Sequence, residues 1–354
     1  MTKTTVVFSP KYLRHNPGRD HPESAKRLAA IVAELRKAPF LRSHTWKLVS
    51  PVKASIEQVG MVHDPKYVVY VKTLCKSGGG LLDAGDTRVS AASFDVALHA
   101  VGGALTAVDH AMRGRSDNAL ALVRPPGHHA TRSFGLGFCI FNNVAVAAEH
   151  LLREFKLERV LILDIDSHHG NGTQSIFYET DKVLYVSLHE DPRDFPGTGF
   201  SDEVGDRDGR GFNVNIPLPL KTGNQIYLKA LREIVTPITR EYKPQFILVS
   251  AGFDSHYADP VGRLGLSAQC YEKVFDTITN LSSELCDRKL ALILEGGYNV
   301  NFVGKLAIQA LSKISGNQYR LDDEVPRSRQ KTRENGEKAI KEAKKVQRNF
   351  WHLD

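Results

Sequence analysis

The sequence predicts a doubly wound α/β domain, and three observations predict it. Near-continuous apolar runs recur at Thr4–Phe8, Ala119–Val123, Val160–Leu163, Val183–Leu188, Phe246–Val249 and Leu290–Leu294. Runs without polar alternation suit strands buried on both faces, as in a parallel sheet. Stretches of helical periodicity lie between them, at Ser24–Lys37, Ser93–Met112, Asn143–Phe155, Asn224–Tyr242 and Ala268–Cys286. Polar clusters follow five of the runs: "RPPGHHA", "DIDSHH", "SLHED", "SAGFDSH" and "EGGYN". Sheets of this kind place their sites just beyond the carboxyl ends of the strands, so five loops are expected to meet at one edge.

The rest of the chain fits a soluble, single-core protein. Its 354 residues are long for one average domain but ordinary for an α/β fold. The first twenty residues lack a signal-peptide core, and no stretch is apolar enough to span a membrane. Cys75, Cys139, Cys270 and Cys286 are scattered and form no CxxC pair, which points to a reducing, cytoplasmic setting, or a nuclear one in a eukaryote. The net charge of +7 is concentrated: residues 327–348 hold nine Lys/Arg against three Glu, so the body is nearly neutral. Residues 197–211 read as a long surface loop and 317–335 as an extended linker. Beyond it, Ile340, Ala343, Val346 and Phe350 share the face of a terminal helix that docks and shows its lysines to solvent.

In "DIDSHH", alternation at a strand end would place Asp164, Asp166 and His168 on one side. A D-x-H pair with one more acid makes a three-ligand site with an open position, the arrangement of catalytic zinc, and Asp254 of "SAGFDSH" suits as the third ligand. In "RPPGHHA", His128 and His129 follow a tight turn; neutral imidazole is the natural general base near pH 7. Asp164 can partner one of them and Asn171 orient the other. Tyr298 in "LEGGYN" can donate to a developing oxyanion. Phe138 in "GLGFCIFNN" and Phe195 in "RDFPGTG" are either core or the walls of an apolar tunnel suited to an alkyl chain.

These blocks, with "YVSLHEDP", "FPGTG", "NVNIPLP" and "SAGFDSHYADPVG", occur in the order seen in zinc-dependent histone deacetylases of the arginase-deacetylase superfamily, and the chain resembles that family from His21 to its end. The resemblance implies a three-layer fold around an eight-stranded, mainly parallel sheet, with a deacetylase domain over 1–316 and a basic extension over 317–354. It implies one zinc ion on Asp166, His168 and Asp254, His129 as general base and then acid, His128 as its electrostatic partner, and Tyr298 on the acetyl carbonyl. Phe138, Phe195, Gly137 and Val261 would line an acetyl-lysine tunnel, with Asp86 on its rim. Potassium or sodium would bind at Asp164, Asp166, His168, Ser187 and Leu188, and again at Phe177, Thr180, Val183 and Phe212. The pattern is nearer the class II branch, because Asn171 stands where class I members carry an aspartate.

The expected function is hydrolysis of N-ε-acetyl-lysine amides in proteins or peptides. An acetylpolyamine amidohydrolase is the nearest alternative; Val261 in the "ADPVG" turn, where polyamine-preferring relatives can carry an acid, leans against it. A dinuclear manganese hydrolase would need further bridging carboxylates. The basic tail could bind nucleic acid, but aromatic residues there are confined to Phe350 and Trp351, and a solvated helix face explains it as well. Oligomeric state has no signature in the sequence.

Overall fold

Strands form where the apolar runs were expected because both faces of each are covered. In this computed structural model, which describes residues 2–40 and 43–354, β1 is Thr4–Val7, β2 Trp46–Val49, β3 Gly79–Leu81, β4 Arg88–Ser90 and β5 Asn118–Ala121. There follow β6 (Val160–Asp164), β7 (Val183–Glu190), β8 (Asn213–Leu218), β9 (Phe246–Ala251) and β10 (Leu290–Leu294). Every residue of β5, β6, β9 and β10 is buried. Eight strands make one all-parallel sheet in the order β2-β1-β5-β10-β9-β6-β7-β8.

The helices are α1 (Ala25–Lys37), α2 (Ile56–Val59), α3 (Pro65–Lys76), α4 (Ser93–Met112), α5 (Asn143–Glu154), α6 (Asn171–Phe177), α7 (Asn224–Ala230), α8 (Thr236–Tyr242), α9 (Ala268–Leu285), α10 (Val303–Ile314) and α11 (Gln330–Gln347). Helix α4 is buried nearly all round and packs on β1, β5 and β10, with α5 beside it. Helices α1, α9 and α10 pack together, and α10 also reaches β5. The result is the expected three-layer α/β fold.

Four of the departures from the expectation have local reasons. Strand β2 is short and only half buried at an edge, so its "WKLV" carries no continuous apolar signal. Strand β8 alternates Asn213 and Asn215 with apolar residues and contains Pro217, which an edge strand tolerates. The helical stretch 224–242 is broken by a π turn at Leu231–Val235, just before Pro237, whose missing N–H cannot continue the ladder. The linker ends at 329 rather than 335, because Gly336 packs closely on Ile226 and draws the preceding turn into α11. That helix lies against β8 through Ile340, Ala343 and Gln347, and Trp351 donates Nε1–H to the Gly211 carbonyl at 2.9 Å.

Strand order positions the site. The chain leaves β5 and returns as β6, but β10 and β9 fill the gap between them. The four carboxyl ends are level, since Ala121 pairs with Ile293, Leu294 with Ala251, and Ser250 with Asp164. The loops carrying the two histidines, the D-x-H pair, Asp254 and Tyr298 therefore emerge side by side.

Candidate metal and catalytic centre

Strand β6 ends at Asp164, where strand alternation stops. Asp166 and His168 are placed by hydrogen bonds, which corrects the expectation that the pleat alone aligns them with Asp164. The Asp166 N–H donates to Asp164 Oδ1 (3.1 Å), and the His168 N–H donates to Asp166 Oδ1 (3.0 Å). Asp254 is held by the Ser167 N–H, which donates to its Oδ1 at 3.0 Å, and Asp166 by the Gly296 N–H at 2.8 Å. A Cβ at Gly296 would lie 2.5 Å from Asp166 Oδ2 and 2.6 Å from Asp254 Oδ2, so only glycine lets that loop close over both carboxylates.

The result is a cluster of Asp166, His168 and Asp254 whose ligand atoms all lie within 4.8 Å of one another. His168 Nδ1 stands 3.3 Å from Asp166 Oδ1 and 3.0 Å from Asp254 Oδ2. Both carboxylates are buried. Burial and then the charge of Asp166 push the Asp254 carboxyl above its ordinary range. Two oxygens and one nitrogen around an excess of buried negative charge suit a divalent cation with an open coordination position.

Asp164 is turned away from this point. Its Oδ2 sits 3.0 Å from His128 Nδ1 and accepts from Tyr185 Oη–H at 3.1 Å. Burial disfavours the His128 imidazolium, but the charges of Asp164 and Asp166 outweigh it and raise its pKa to about 10. The neighbouring ring behaves oppositely. Burial, then the charges of His128 and His168, hold His129 well below the ordinary imidazole range. Asn171 Oδ1 faces His129 Nδ1 at 2.8 Å, so the neutral ring donates Nδ1–H there and keeps Nε2 as an acceptor. The two rings stand 4.0 Å apart, one charged and one neutral.

His129, His168 and Tyr298 line one cavity of about 490 Å³ with Gly137, Phe138, Phe195 and Val261, and Asp86 is at its exposed edge. Gly137 and Phe138 both adopt left-handed backbone, φ +53° and +71°. A Cβ at Gly137 would lie 2.5 Å from His129 Cδ2 and 2.9 Å from Phe195 Cζ, inside the channel. Burial holds the Tyr298 phenol protonated, its pKa well above the ordinary value. The residues expected at the two monovalent-cation sites surround β7: Asp164 pairs with Ser187 across the sheet, Val183 begins the strand, and Phe212 O accepts from the Tyr185 N–H at 2.9 Å. Thr180 donates its N–H to Phe177 O at 3.3 Å.

Several functional neighbours escaped sequence reasoning. Glu190 is buried and accepts from Ser167 Oγ–H (2.8 Å), the Arg263 N–H (2.6 Å) and Arg263 Nε–H (3.0 Å), tying the metal loop to the cavity wall. Arg263 also donates Nη1–H to Asp194 at 2.8 Å. Glu190 stood in the quoted "SLHED", but nothing marked its partner. Glu295 accepts from the Gly127 and His128 N–H groups at 2.6 and 3.2 Å, fixing the histidine turn. A second donor group, His128, Cys139 and Glu295, is chemically poor for a metal, because burial pushes the thiol far up and His128 is engaged by Asp164. His169 is structural: its nitrogens face Thr198 Oγ1 (3.1 Å) and Gln174 Oε1 (3.0 Å).

The histone deacetylase domain profile matches residues 21–314. A probable deacetylase of Archaeoglobus fulgidus is 39% identical over 98% of this chain and 98% of its own length. A histone deacetylase-like amidohydrolase of Pseudomonas aeruginosa is 34% identical over 84% of this chain and 77% of its own. Among solved structures, the HDA15 HD domain superposes with a TM-score of 0.88 at 32% identity, covering 99% of this chain and 95% of that one. The chain belongs to the histone deacetylase family, and with it to the hydrolases.

Proposed function

We propose that the protein hydrolyses the amide of N-ε-acetyl-lysine in peptides or proteins, releasing acetate, with one zinc ion held by Asp166, His168 and Asp254. The observation that carries this reading is that the donor set reaches, through His168, the cavity lined by a neutral histidine whose Nε2 is free to accept. When bound, zinc supplies Lewis acidity for the amide carbonyl and for water.

The side chains supply the rest. His129 Nε2 takes the proton of the attacking water and returns it to the departing lysine amine, while Asn171 fixes its tautomer. His128, charged and pinned by Asp164, steadies the negative charge that builds as the carbonyl is attacked. Tyr298 donates its hydroxyl proton to that oxygen without losing it. Phe138 and Phe195 sheathe the aliphatic lysine stem, and Asp86 takes an amide of the substrate backbone at the rim. Potassium or sodium at the two β7 sites would stiffen the loop that bears the zinc ligands. Residues 1–316 form the catalytic unit in this reading and 317–354 a docked extension; four unpaired, buried cysteines support a reducing compartment. No described helix is long and apolar enough to cross a membrane.

An acetylpolyamine substrate is favoured by the carboxylates of Asp83, Asp86 and Asp194 around the cavity, and disfavoured by Val261 and Arg263 in its wall. Kinetics on acetyl-lysine peptides against N-acetylputrescine decide: faster turnover of the peptides, lost on chelation and restored by zinc, is expected. Faster turnover of the polyamine would reverse the substrate, and activity indifferent to chelators would end the metal reading.

Asn171→Asp tests the base. A carboxylate beside Nδ1 favours the imidazolium, so the His129 pKa rises and activity requires a higher pH to keep the ring neutral. The acid limb of kcat/KM is expected to move up by about one pH unit. An unmoved limb would remove His129 as the base.

A further inference from the structure

The basic linker does not trail away from the catalytic mouth. A second cavity, of about 650 Å³, adjoins the first, and Arg263 lines both. Its other walls include Lys221, Arg327 and Arg329. Among the described residues no carboxylate lies within ion-pair distance of those three cations, whereas Arg263 is already paired with Glu190 and Asp194. The single acid of the cavity, Asp259, is occupied by four backbone N–H groups, from Val261, Gly262, Tyr298 and Asn299 at 2.7–3.3 Å.

The arginines are held there by a fastened strap. At its near end, the Asp323 carboxylate faces His256 Nε2 (2.9 Å) and accepts from Tyr257 Oη–H (3.0 Å) and the Ala268 N–H (2.8 Å). Farther on, Ser328 Oγ–H donates to the Lys221 carbonyl at 3.4 Å, and a Cβ on Gly223 would lie only 2.5 Å from that hydroxyl. Helix α11, docked on β8, anchors the far end. Three unpaired cations on an anchored backbone, in a concavity sharing a wall with the tunnel, make an anion subsite with little ordering cost.

Resting on the deacetylase reading, we propose that this cavity selects acyl-lysine peptides carrying acidic side chains a few residues from the acylated lysine. An extended peptide advances about 3.3 Å per residue, so a side chain near the tunnel can reach the adjoining cavity. Asp83, Asp86 and Asp194 line the tunnel and not this cavity; Asp83 accepts from Gly85 and Thr87, and Asp194 pairs with Arg263. On the tail helix, Lys344 is already paired with Glu233.

The test compares acetyl-lysine peptides flanked by two aspartates, on the amino or the carboxyl side, with the same peptides carrying serines. Binding is read by fluorescence anisotropy and turnover by kcat/KM, for the full chain and for Arg327→Ser/Arg329→Ser. One acidic peptide is expected to gain about tenfold in affinity and in kcat/KM, through KM, at low ionic strength. That gain should fade in high salt and in the double variant, with the serine peptides turned over unchanged. Equal binding of acidic and serine peptides, or a gain that survives the double variant, overturns the proposal. So does a duplex DNA probe whose binding is lost in the double variant while the acidic peptides show no gain. No turnover of any acetylated peptide would overturn the deacetylase reading, and the anisotropy comparison would still judge the subsite.

Discussion

Asp254→Asn is expected to lower kcat/KM for amide hydrolysis by about 10³-fold or more and to abolish stoichiometric zinc binding at the proposed centre. Lewis-acid stabilisation of a carbonyl reaction supplies several kcal/mol, and each 1.36 kcal/mol is tenfold in rate. The fold should survive, because an amide oxygen can still accept from the Ser167 N–H that now bonds Oδ1 at 3.0 Å. In metal-free protein the substitution relieves strain: burial and the charge of Asp166 both disfavour a second carboxylate at this point. Thermal scans should therefore separate the two roles. Chelated wild type is expected to melt at or below the variant, and added zinc should raise the melting temperature of wild type alone. A variant that keeps stoichiometric metal and activity would remove Asp254 from the centre.

The legible part of the site was the part that chemistry writes into local patterns. The D-x-H pair, the paired histidines and the Gly-Gly-Tyr turn each follow an apolar run, and parallel strands in register bring those ends together. What escaped was held by contacts distant in sequence. Glu190 and Arg263 are 73 residues apart and meet only because the loops after β7 and β9 fold over the same cavity. The sheet edges escaped for a different reason: β2 and β8 carry polar or half-buried residues that give no continuous apolar run. His169 shows that adjacency in sequence is not enough. It follows a metal-ligand candidate directly, yet the backbone turn sends its ring to Thr198 and Gln174. Glu23 was visible in "HPES" and drew no role, since nothing local announces that two arginines converge on it.

Glu23→Gln is expected to destabilise the fold strongly. The side chain is fully buried; its Oε1 accepts from Arg124 Nε–H at 2.6 Å and Arg27 Nη1–H at 3.2 Å, and His15 Nε2 stands 3.4 Å from Oε2. Each arginine grips a different catalytic loop. Arg124 begins the turn that carries His128 and His129, while Arg27 donates to the carbonyls of Glu295 (2.5 Å) and Gly297 (2.6 Å). The Arg27 guanidinium also lies 4.7 Å from the centre of the Tyr298 ring. One carboxylate thus pairs with both supports, and its loss leaves two buried cations without their shared counter-charge, at about 3–5 kcal/mol. A fall in melting temperature of roughly 4–7 °C at neutral pH should follow for a chain of this length. Burial by itself would raise the Glu23 carboxyl, but Arg124, then His15 and Arg27, outweigh it and hold it far below its ordinary range. A depressed folded-state pKa stabilises above the unfolded value of about 4.3, and that stability drains away as pH falls further. The gap between wild type and variant should accordingly be constant above about pH 6 and narrow below about pH 4. Below the melting transition, the surviving variant should lose kcat with KM little changed, because a loosened Tyr298 costs the transition state rather than the bound substrate. An unchanged melting temperature at neutral pH would mean that the two arginines find other partners, and the catalytic loops would then be supported independently of each other.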